Sequence, residues 1–300
     1  SSDLRSKSAD FECLQNCASM KCGAIRVSLR SRISRKGDFP MLDIQNITVE
    51  YDGKPFLRDF SLHMKRGEII SLVGESGSGK TTVIRSILGL LPYEGELVSG
   101  DILFEGKSLA EYSEKELQKL RGSRISMIFQ DSGAMLNPIR KIGSQYIEYI
   151  QKHEKMGHKA AEERAKAMLE AMRLSEPEHI MKSYGFQLSG GMRQRVGIAM
   201  AMTFEPELLL ADEPTSALDV TTQAQIVRQM MELRKNHGTS IILVTHNLGV
   251  AAYMSDRIVV MQNGKIVEAG DRKMILEQPS CEYTRKLLAA VPKMYGEGYV

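Results

Sequence analysis

The stretch EIISLVGESGSGKTTVIRSILGLL, residues 68–91, decides the fold. Residues 68–74 are apolar and predict a buried strand, whereas residues 79–91 predict a helix. The loop GESGSGKT (74–81) matches the pattern G-x-x-x-x-G-K-[ST] in the strand–loop–helix context that this pattern requires. Its glycines let backbone N–H groups turn inward at the positive end of the helix, which predicts a phosphate-binding site.

The side chains of this loop predict roles in nucleotide binding. Lys80 is expected to reach the β- and γ-phosphates, and the Thr81 hydroxyl to coordinate Mg²⁺. A chance glycine turn is the alternative, and the flanking strand and helix disfavour it. A nucleophile turn and a dinucleotide loop both fail, because Ser78 and Thr82 stand where those patterns require glycine. The expected nucleotide contacts are Gly74, Glu75, Ser76, Gly77, Ser78, Gly79, Lys80, Thr81 and Thr82.

The composition is ordinary for a globular chain, with 42% apolar and 26% charged residues. The net charge of +3 arises in residues 1–40, where eight Lys/Arg and four Asp/Glu contribute +4, so residues 41–300 carry −1. Residues 41–300 therefore carry no excess of basic side chains, which disfavours nucleic acid as a partner. No apolar run approaches the roughly 18 residues that a membrane helix needs.

The first 40 residues differ from the rest of the chain. They are rich in Ser and Arg and lack the apolar core of a secretory signal, so we expect a disordered leader or a segment of artificial origin. The fold is expected to span residues 41–292, with 293–300 as a tail. Three of the four cysteines lie in the leader: Cys13, Cys17 and Cys22. Cys13 and Cys17 have a spacing that zinc sites use, but no second pair of ligands with matching spacing follows. The rest of the chain has too few cysteines for a disulfide framework, which fits a reducing cytosol.

From residue 41 onward, short β-rich runs alternate with helical patterns, which predicts an α/β fold with a mainly parallel sheet. The predicted strands are 68–74, 123–130, 207–212 and 240–246, followed by a hairpin at 257–270. The clearest predicted helices are 79–91, 159–174 and 221–236. The mostly helical block at 131–188 interrupts the alternation and predicts a separate helical lobe.

In LLLADEP (208–214), two adjacent carboxylates follow the apolar run 208–211. A buried strand would deliver Asp212 to the mouth of the sheet, where it can hold Mg²⁺ through water. Glu213, one step further, can act as the general base that polarises the attacking water. A helix-capping acid pair is the alternative, and the complete phosphate loop in the same chain disfavours it.

Other strand ends supply further candidates. Gln130 ends MIFQ and can touch Mg²⁺ and the attacking water, while His246 ends LVTH within reach of the γ-phosphate, because ligands collect at such strand ends. Tyr51 is a candidate for stacking on adenine. An ordinary strand aromatic is an equally good interpretation of Tyr51.

The sequence LSGGMRQR (188–195) places a second polar glycine turn before a predicted helix, with an apolar face at Met192, Val196, Ala199 and Met200. Ser189 can be a helix N-cap, and a helix start is also an anion site. Together with GESGSGKTT, Gln130, LLLADEP, SALD (216–219) and His246, this order and spacing resembles an ABC-type ATPase subunit over nearly all of residues 41–270. The resemblance implies a P-loop NTPase core with an N-terminal antiparallel β subdomain and an inserted helical subdomain.

The resemblance also implies partners and cofactors. Two such subunits pair head to tail, expected here as a heterodimer, so that Ser189, Gly190 and Gly191 of each close on the ATP of the other, with Asp219 crossing the interface. ATP and Mg²⁺ are the expected cofactors, and Glu213, His246, Gln130 and Lys80 the expected catalytic residues. Two membrane permease subunits and a solute-binding protein are the further partners, which implies a peripheral protein on the cytoplasmic face of the cell membrane.

Two segments indicate which branch of the ABC ATPase family the chain resembles. LNPIRKIGSQ (136–145) and PSCEYTRKLLAAVP (279–292) resemble segments of peptide- and nickel-importer subunits, although Cys281 and Glu282 depart from the usual His-Pro before Tyr283 and Thr284. Many peptide-importer members hold an iron–sulfur cluster, which needs about four thiolates. The tail offers only Cys281, so we expect no cluster. The cargo, peptide or nickel or a metal chelate, stays open.

Three alternatives remain within the same resemblance. An ABC exporter subunit is one. An ABC ATPase acting on DNA or ribosomes is another, disfavoured because only the 58 residues 131–188 separate Gln130 from the LSGG turn and because the charge is near neutral. A non-hydrolysing subunit is disfavoured because Lys80, Asp212, Glu213 and His246 are all present.

Overall fold

The computed structural model describes residues 39–132, 135–216 and 218–290. Residues 1–38 of the leader, which include its three cysteines, and residues 291–300 therefore lie outside the described residues, as does Ala217 of the SALD turn. Within these ranges the chain forms ten strands in two sheets. The strands are β1 (Leu42–Tyr51), β2 (Lys54–Met64), β3 (Ile69–Val73), β4 (Gly95–Phe104), β5 (Lys107–Ser108), β6 (Ile125–Ile128), β7 (Leu208–Asp212), β8 (Ser240–Val244), β9 (Arg257–Gln262) and β10 (Lys265–Asp271).

The larger sheet has six strands in the order β10-β9-β3-β8-β7-β6, all parallel except β10, which pairs antiparallel with β9. Strands β3, β7 and β8 are buried along their whole length, as expected for parallel strands covered on both faces. Successive residues of β3 serve opposite faces, because Ile69 packs in one core cluster and Ile70 in another. This arrangement brings the carboxyl ends of β3, β6, β7 and β8 to one edge.

The smaller sheet is antiparallel, with the order β2-β1-β4-β5. Its apolar side chains share one core cluster with helix residues and with one face of the larger sheet. The chain turns from β1 into β2 at Asp52-Gly53, where both residues have left-handed backbone. This is the N-terminal β layer that the family resemblance implies.

Ten α-helices lie in the described residues. They are α1 (Lys80–Leu88), α2 (Glu114–Leu120), α3 (Ile142–His153), α4 (His158–Ala171), α5 (Pro177–Lys182), α6 (Gly190–Met202), α7 (Val220–His237), α8 (Leu248–Met254), α9 (Arg272–Glu277) and α10 (Glu282–Ala289). Helix α1 ends earlier than the predicted 79–91, because Gly89 adopts a left-handed C-cap with φ 61° that stops the helix. None of these helices combines the length and apolar character needed to cross a bilayer.

Helices α3, α4 and α5 pack on one another within the predicted helical block. Their apolar faces, including Ala161 and Ala165, join α6, α7 and the second face of the large sheet in one cluster. The predicted apolar face of α6 is confirmed, since Val196 and Ala199 are fully buried and Met192 and Met200 pack against the same cluster.

Candidate functional site

The phosphate loop is held open by its glycines. Gly74, Gly77 and Gly79 have φ values of 149°, 81° and 102°, which L-residues rarely adopt. A Cβ on Gly74 would lie 2.2 Å from the Met261 backbone oxygen, so this position admits no side chain. Gly79 begins α1 without a side-chain cap, so the loop ends on a helix start that is suited to an anion.

Lys80 is turned onto its own loop. Its Nζ donates to the backbone oxygens of Gly74 and Glu75 at 2.8 Å each and lies 3.3 Å from Ser78 Oγ. The side chain is buried, and this burial lowers the pKa of Lys80 against the opposing effect of Glu213 and Asp212. The ammonium group is thus positioned by backbone acceptors beside the loop that it is expected to serve.

Asp212 ends β7 and faces the loop from the neighbouring part of the sheet. Thr81 Oγ1 donates to Asp212 Oδ1 at 3.2 Å. Burial raises the pKa of Asp212, and the nearby Glu213 adds to that effect, while the Thr81 hydrogen bond opposes it. A buried carboxylate beside a hydroxyl is a hard-oxygen donor pair that fits Mg²⁺, which takes its other ligands from phosphates and water. The described residues hold no group of three or more His, Cys, Asp or Glu side chains placed for a metal.

Glu213 is contacted on both carboxylate oxygens. His246 Nδ1 lies 3.1 Å from Oε1, and Gln130 Nε2 lies 3.5 Å from Oε2. Glu213 itself has left-handed backbone with φ 43°, and its N–H donates to Val244 of β8. A non-glycine residue in this region is a strained arrangement that clusters at functional sites. Two predicted catalytic residues, His246 and Gln130, therefore converge from neighbouring strand ends on the carboxylate of a third, Glu213.

One open cleft of about 390 Å³ collects nine of the eighteen predicted site residues. Its lining contains Phe56, Ser76, Gly77, Gly79, Lys80, Thr81, Thr82, Gln130, Glu213 and His246. Phe56 was missed by the sequence analysis. In the sequence it is only an aromatic just past the Asp52-Gly53 turn. The structure places it in the cleft, at a register shift between β1 and β2.

Tyr51, the predicted adenine-stacking residue, lies against Phe56 with ring centroids 5.4 Å apart in an edge-to-face contact. Its hydroxyl lies 3.3 Å from Thr82 Oγ1. Phe56 rather than Tyr51 lines the cleft, so the base-stacking role of Tyr51 stays a prediction.

The LSGG turn and the SALD turn lie apart from this cleft. Ser189 caps α6 by accepting from the Met192 N–H at 3.3 Å, and Asp219 caps α7 by accepting from Thr222. Ser189, Gly190 and Asp219 are exposed and Gly191 is half-buried. A Cβ on Gly191 would lie 3.5 Å from Leu218, so the two turns adjoin. None of these four residues lines the cleft of its own chain.

Gln194 of α6 is a second residue that the sequence analysis missed. Its Nε2 donates to the backbone oxygens of Pro214 at 3.0 Å and Phe129 at 3.3 Å, and its Oε1 accepts from the Ser132 N–H at 3.1 Å. The buried amide thus ties the helix behind the LSGG turn to the segment after β6 and to the segment after Glu213. Only the packing of these three segments could reveal it.

Sequence comparisons find ATP-binding proteins of transporters among the relatives of this chain. The ABC transporter family model matches residues 57–216. The oligopeptide transport ATP-binding protein OppD of Bacillus subtilis (strain 168) is 45% identical over 263 residues, 86% of this chain and 74% of that protein. The dipeptide transport ATP-binding protein DppD of the same organism is 45% identical over 259 residues, 85% of this chain and 77% of that protein.

A solved structure agrees with the fold. The dimeric post-hydrolysis state of the ATP-binding cassette MJ0796, bound to ADP and Pi, superposes with a TM-score of 0.70 at 28% identity, covering 77% of this chain and 99% of that one.

Proposed function

The chain belongs to the ABC transporter family, and on that premise we propose how its residues drive the uptake of peptides, nickel or metal chelates. It is the ATP-hydrolysing subunit of an ABC importer. The observation that carries the proposal is the single cleft in which the phosphate loop, Lys80 and the Gln130–Glu213–His246 cluster face one another.

ATP would lie in this cleft with its phosphates on the loop between Ser76 and Thr82. Phe56, which is 38% exposed, offers an apolar face for the base at the cleft rim, beside Tyr51. Thr81 and Asp212 would hold magnesium, with Gln130 at its outer edge. When bound, the ion supplies positive charge to the β- and γ-phosphate oxygens.

Glu213 would take a proton from the water that attacks the γ-phosphate, so that ATP and water become ADP and inorganic phosphate. His246 and Gln130, one on each oxygen, orient this carboxylate. Lys80 would balance charge that develops on the transferred phosphoryl group.

The exposed start of α6 indicates a second chain. Ser189 and the two glycines after it lie outside the cleft of their own chain and present a helix start, which is suited to an anion. We therefore infer a head-to-tail pair in which this turn closes on the ATP of the partner, and in which Asp219 crosses the interface. A heterodimer is expected.

A groove of about 260 Å³ between the nucleotide-binding core and the helical lobe is the surface that we assign to a membrane subunit. It adjoins the segment after Gln130, and its apolar lining includes the exposed side chains of Leu90 and Met135. We propose that a helix of a permease subunit occupies it, which would place the chain on the cytoplasmic face of the membrane. Closure of the ATPase pair around ATP would then move the segment that follows Gln130, and this segment would move the permease helix.

Reconstitution with two permease subunits and a solute-binding protein in vesicles tests this proposal. ATP hydrolysis should rise with the loaded binding protein, and separate additions of peptides, free nickel and a metal chelate identify the cargo. If none of the three stimulates hydrolysis, the importer cargo proposed here is wrong. Leu90→Glu should uncouple hydrolysis from the permease while leaving ATP binding unchanged, because it places a charge in the apolar groove.

A further inference from the structure

The peptide unit between Gly74 and Glu75 is held from both sides. Its carbonyl oxygen accepts a hydrogen bond from Lys80 Nζ at 2.8 Å, and its N–H donates to the hydroxyl of Tyr283 at 3.1 Å. In a trans peptide the C=O and N–H point in opposite directions. A rotation of this one plane would therefore break both hydrogen bonds together.

Gly74 makes such a rotation easy. Its φ of 149° lies in a region that only glycine visits readily, and it has no side chain to restrict the following peptide. Glu75, the next residue, is exposed, so solvent can take over its N–H when the peptide turns. Within the loop this peptide is held at its carbonyl by Lys80, and its N–H is held by a contact from elsewhere in the chain.

That contact comes from helix α10, 208 residues further along the chain. The start of α10 is anchored to β10 by Glu268, whose carboxylate accepts from the Ser280 N–H and hydroxyl at 2.7 Å each and from the Cys281 N–H at 3.2 Å. The Tyr283 ring packs against an apolar cluster that includes Val73, the residue just before the phosphate loop. Burial raises the pKa of Tyr283, so its hydroxyl stays neutral at physiological pH.

We propose that Tyr283 is a positioning residue of the phosphate loop, fixing the Gly74–Glu75 peptide so that Lys80 is held in place for the phosphates of the nucleotide. This role rests on the proposed nucleotide site and adds to it a residue beyond the segment that the family model matches. It also gives helix α10 a function in the active site, although Tyr283 does not line the cleft.

The test substitutes Tyr283→Phe in the full chain, which keeps the packed ring and removes only the hydroxyl. Titration with Mg-ADP, which is not hydrolysed, should give a dissociation constant raised roughly two- to tenfold, the range for loss of one hydrogen bond. Hydrogen exchange should become faster in the segment 74–79 and stay unchanged in β8. The melting temperature without nucleotide should match that of the unsubstituted chain.

Tyr253→Phe is the matched control, because Tyr253 is 60% exposed on α8 and its hydroxyl has no part in the loop. It should change neither affinity nor exchange. Unchanged Mg-ADP affinity in Tyr283→Phe would overturn the proposal, and so would faster exchange throughout β3 and α1 with a lower melting temperature, which marks a purely structural role. Failure of the unsubstituted chain to bind Mg-ADP would instead overturn the nucleotide site itself.

Discussion

The Nδ1 atom of His246 lies 3.1 Å from Oε1 of Glu213, at the ends of two neighbouring parallel strands. The register of β7 and β8 sets this contact, because Asp212 pairs with Val244 and each side chain follows its strand end by one or two residues. The contact leaves the second carboxylate oxygen facing Gln130.

Glu213→Gln should lower ATP hydrolysis about 10²- to 10⁴-fold, the usual contribution of a general base, while ATP still binds. With the partner subunit and Mg-ATP, the variant should accumulate as a closed pair on size-exclusion chromatography. Glu277→Gln, a surface change on α9, is the control and should hydrolyse ATP normally. Persistent hydrolysis without a closed pair would show that Glu213 is not the base.

Asp212→Asn should stabilise the nucleotide-free chain at neutral pH. A carboxyl whose folded pKa is raised binds protons more readily when folded, so ionisation costs stability as pH rises from the ordinary value of 3.8 through the folded value. The gain in melting temperature should therefore vanish at acid pH, below the ordinary value. The same variant should lose stabilisation by Mg-ATP. An equal gain at acid and neutral pH would contradict a titrating Asp212.

Ser189→Ala should leave ATP affinity of its own chain nearly unchanged and abolish hydrolysis in the site completed by its turn. The lost N-cap should lower stability by about 1 kcal/mol, measurable by denaturant unfolding. Ser189→Asn restores capping and separates the two effects, since stability should return without hydrolysis. A mixed pair with one substituted chain should keep one functional site, and loss of ATP binding in the substituted chain would refute the head-to-tail arrangement.

Gln194→Leu should destabilise the chain by roughly 2–4 kcal/mol, because it deprives the backbone groups of Phe129, Ser132 and Pro214 of a buried partner. Urea unfolding measures this loss. Gln223→Leu, on the more exposed α7, removes one contact to Thr215 and should cost far less. Equal costs for the two variants would mean that the buried amide does not connect the three segments.

Much of the nucleotide site was accessible from the sequence. The phosphate loop, the strand before it and the acidic strand end depend on local patterns, because glycine spacing and apolar runs report backbone conformation directly. Strand ends of a parallel sheet meet at one edge, so the grouping of Gln130, Glu213 and His246 followed from the order of elements. The LSGG turn took its meaning from family resemblance, since a polar helix start by itself is ambiguous.

Sequence by itself predicted the parallel sheet, the candidate phosphate loop and the candidate metal and base residues, because these follow from short-range patterns. Tertiary structure alone decided that Phe56 lines the cleft, that Gln194 ties three segments together and that Tyr283 reaches Glu75. Those contacts join residues far apart in the chain, so they depend on how helices and sheet pack, which no local pattern encodes.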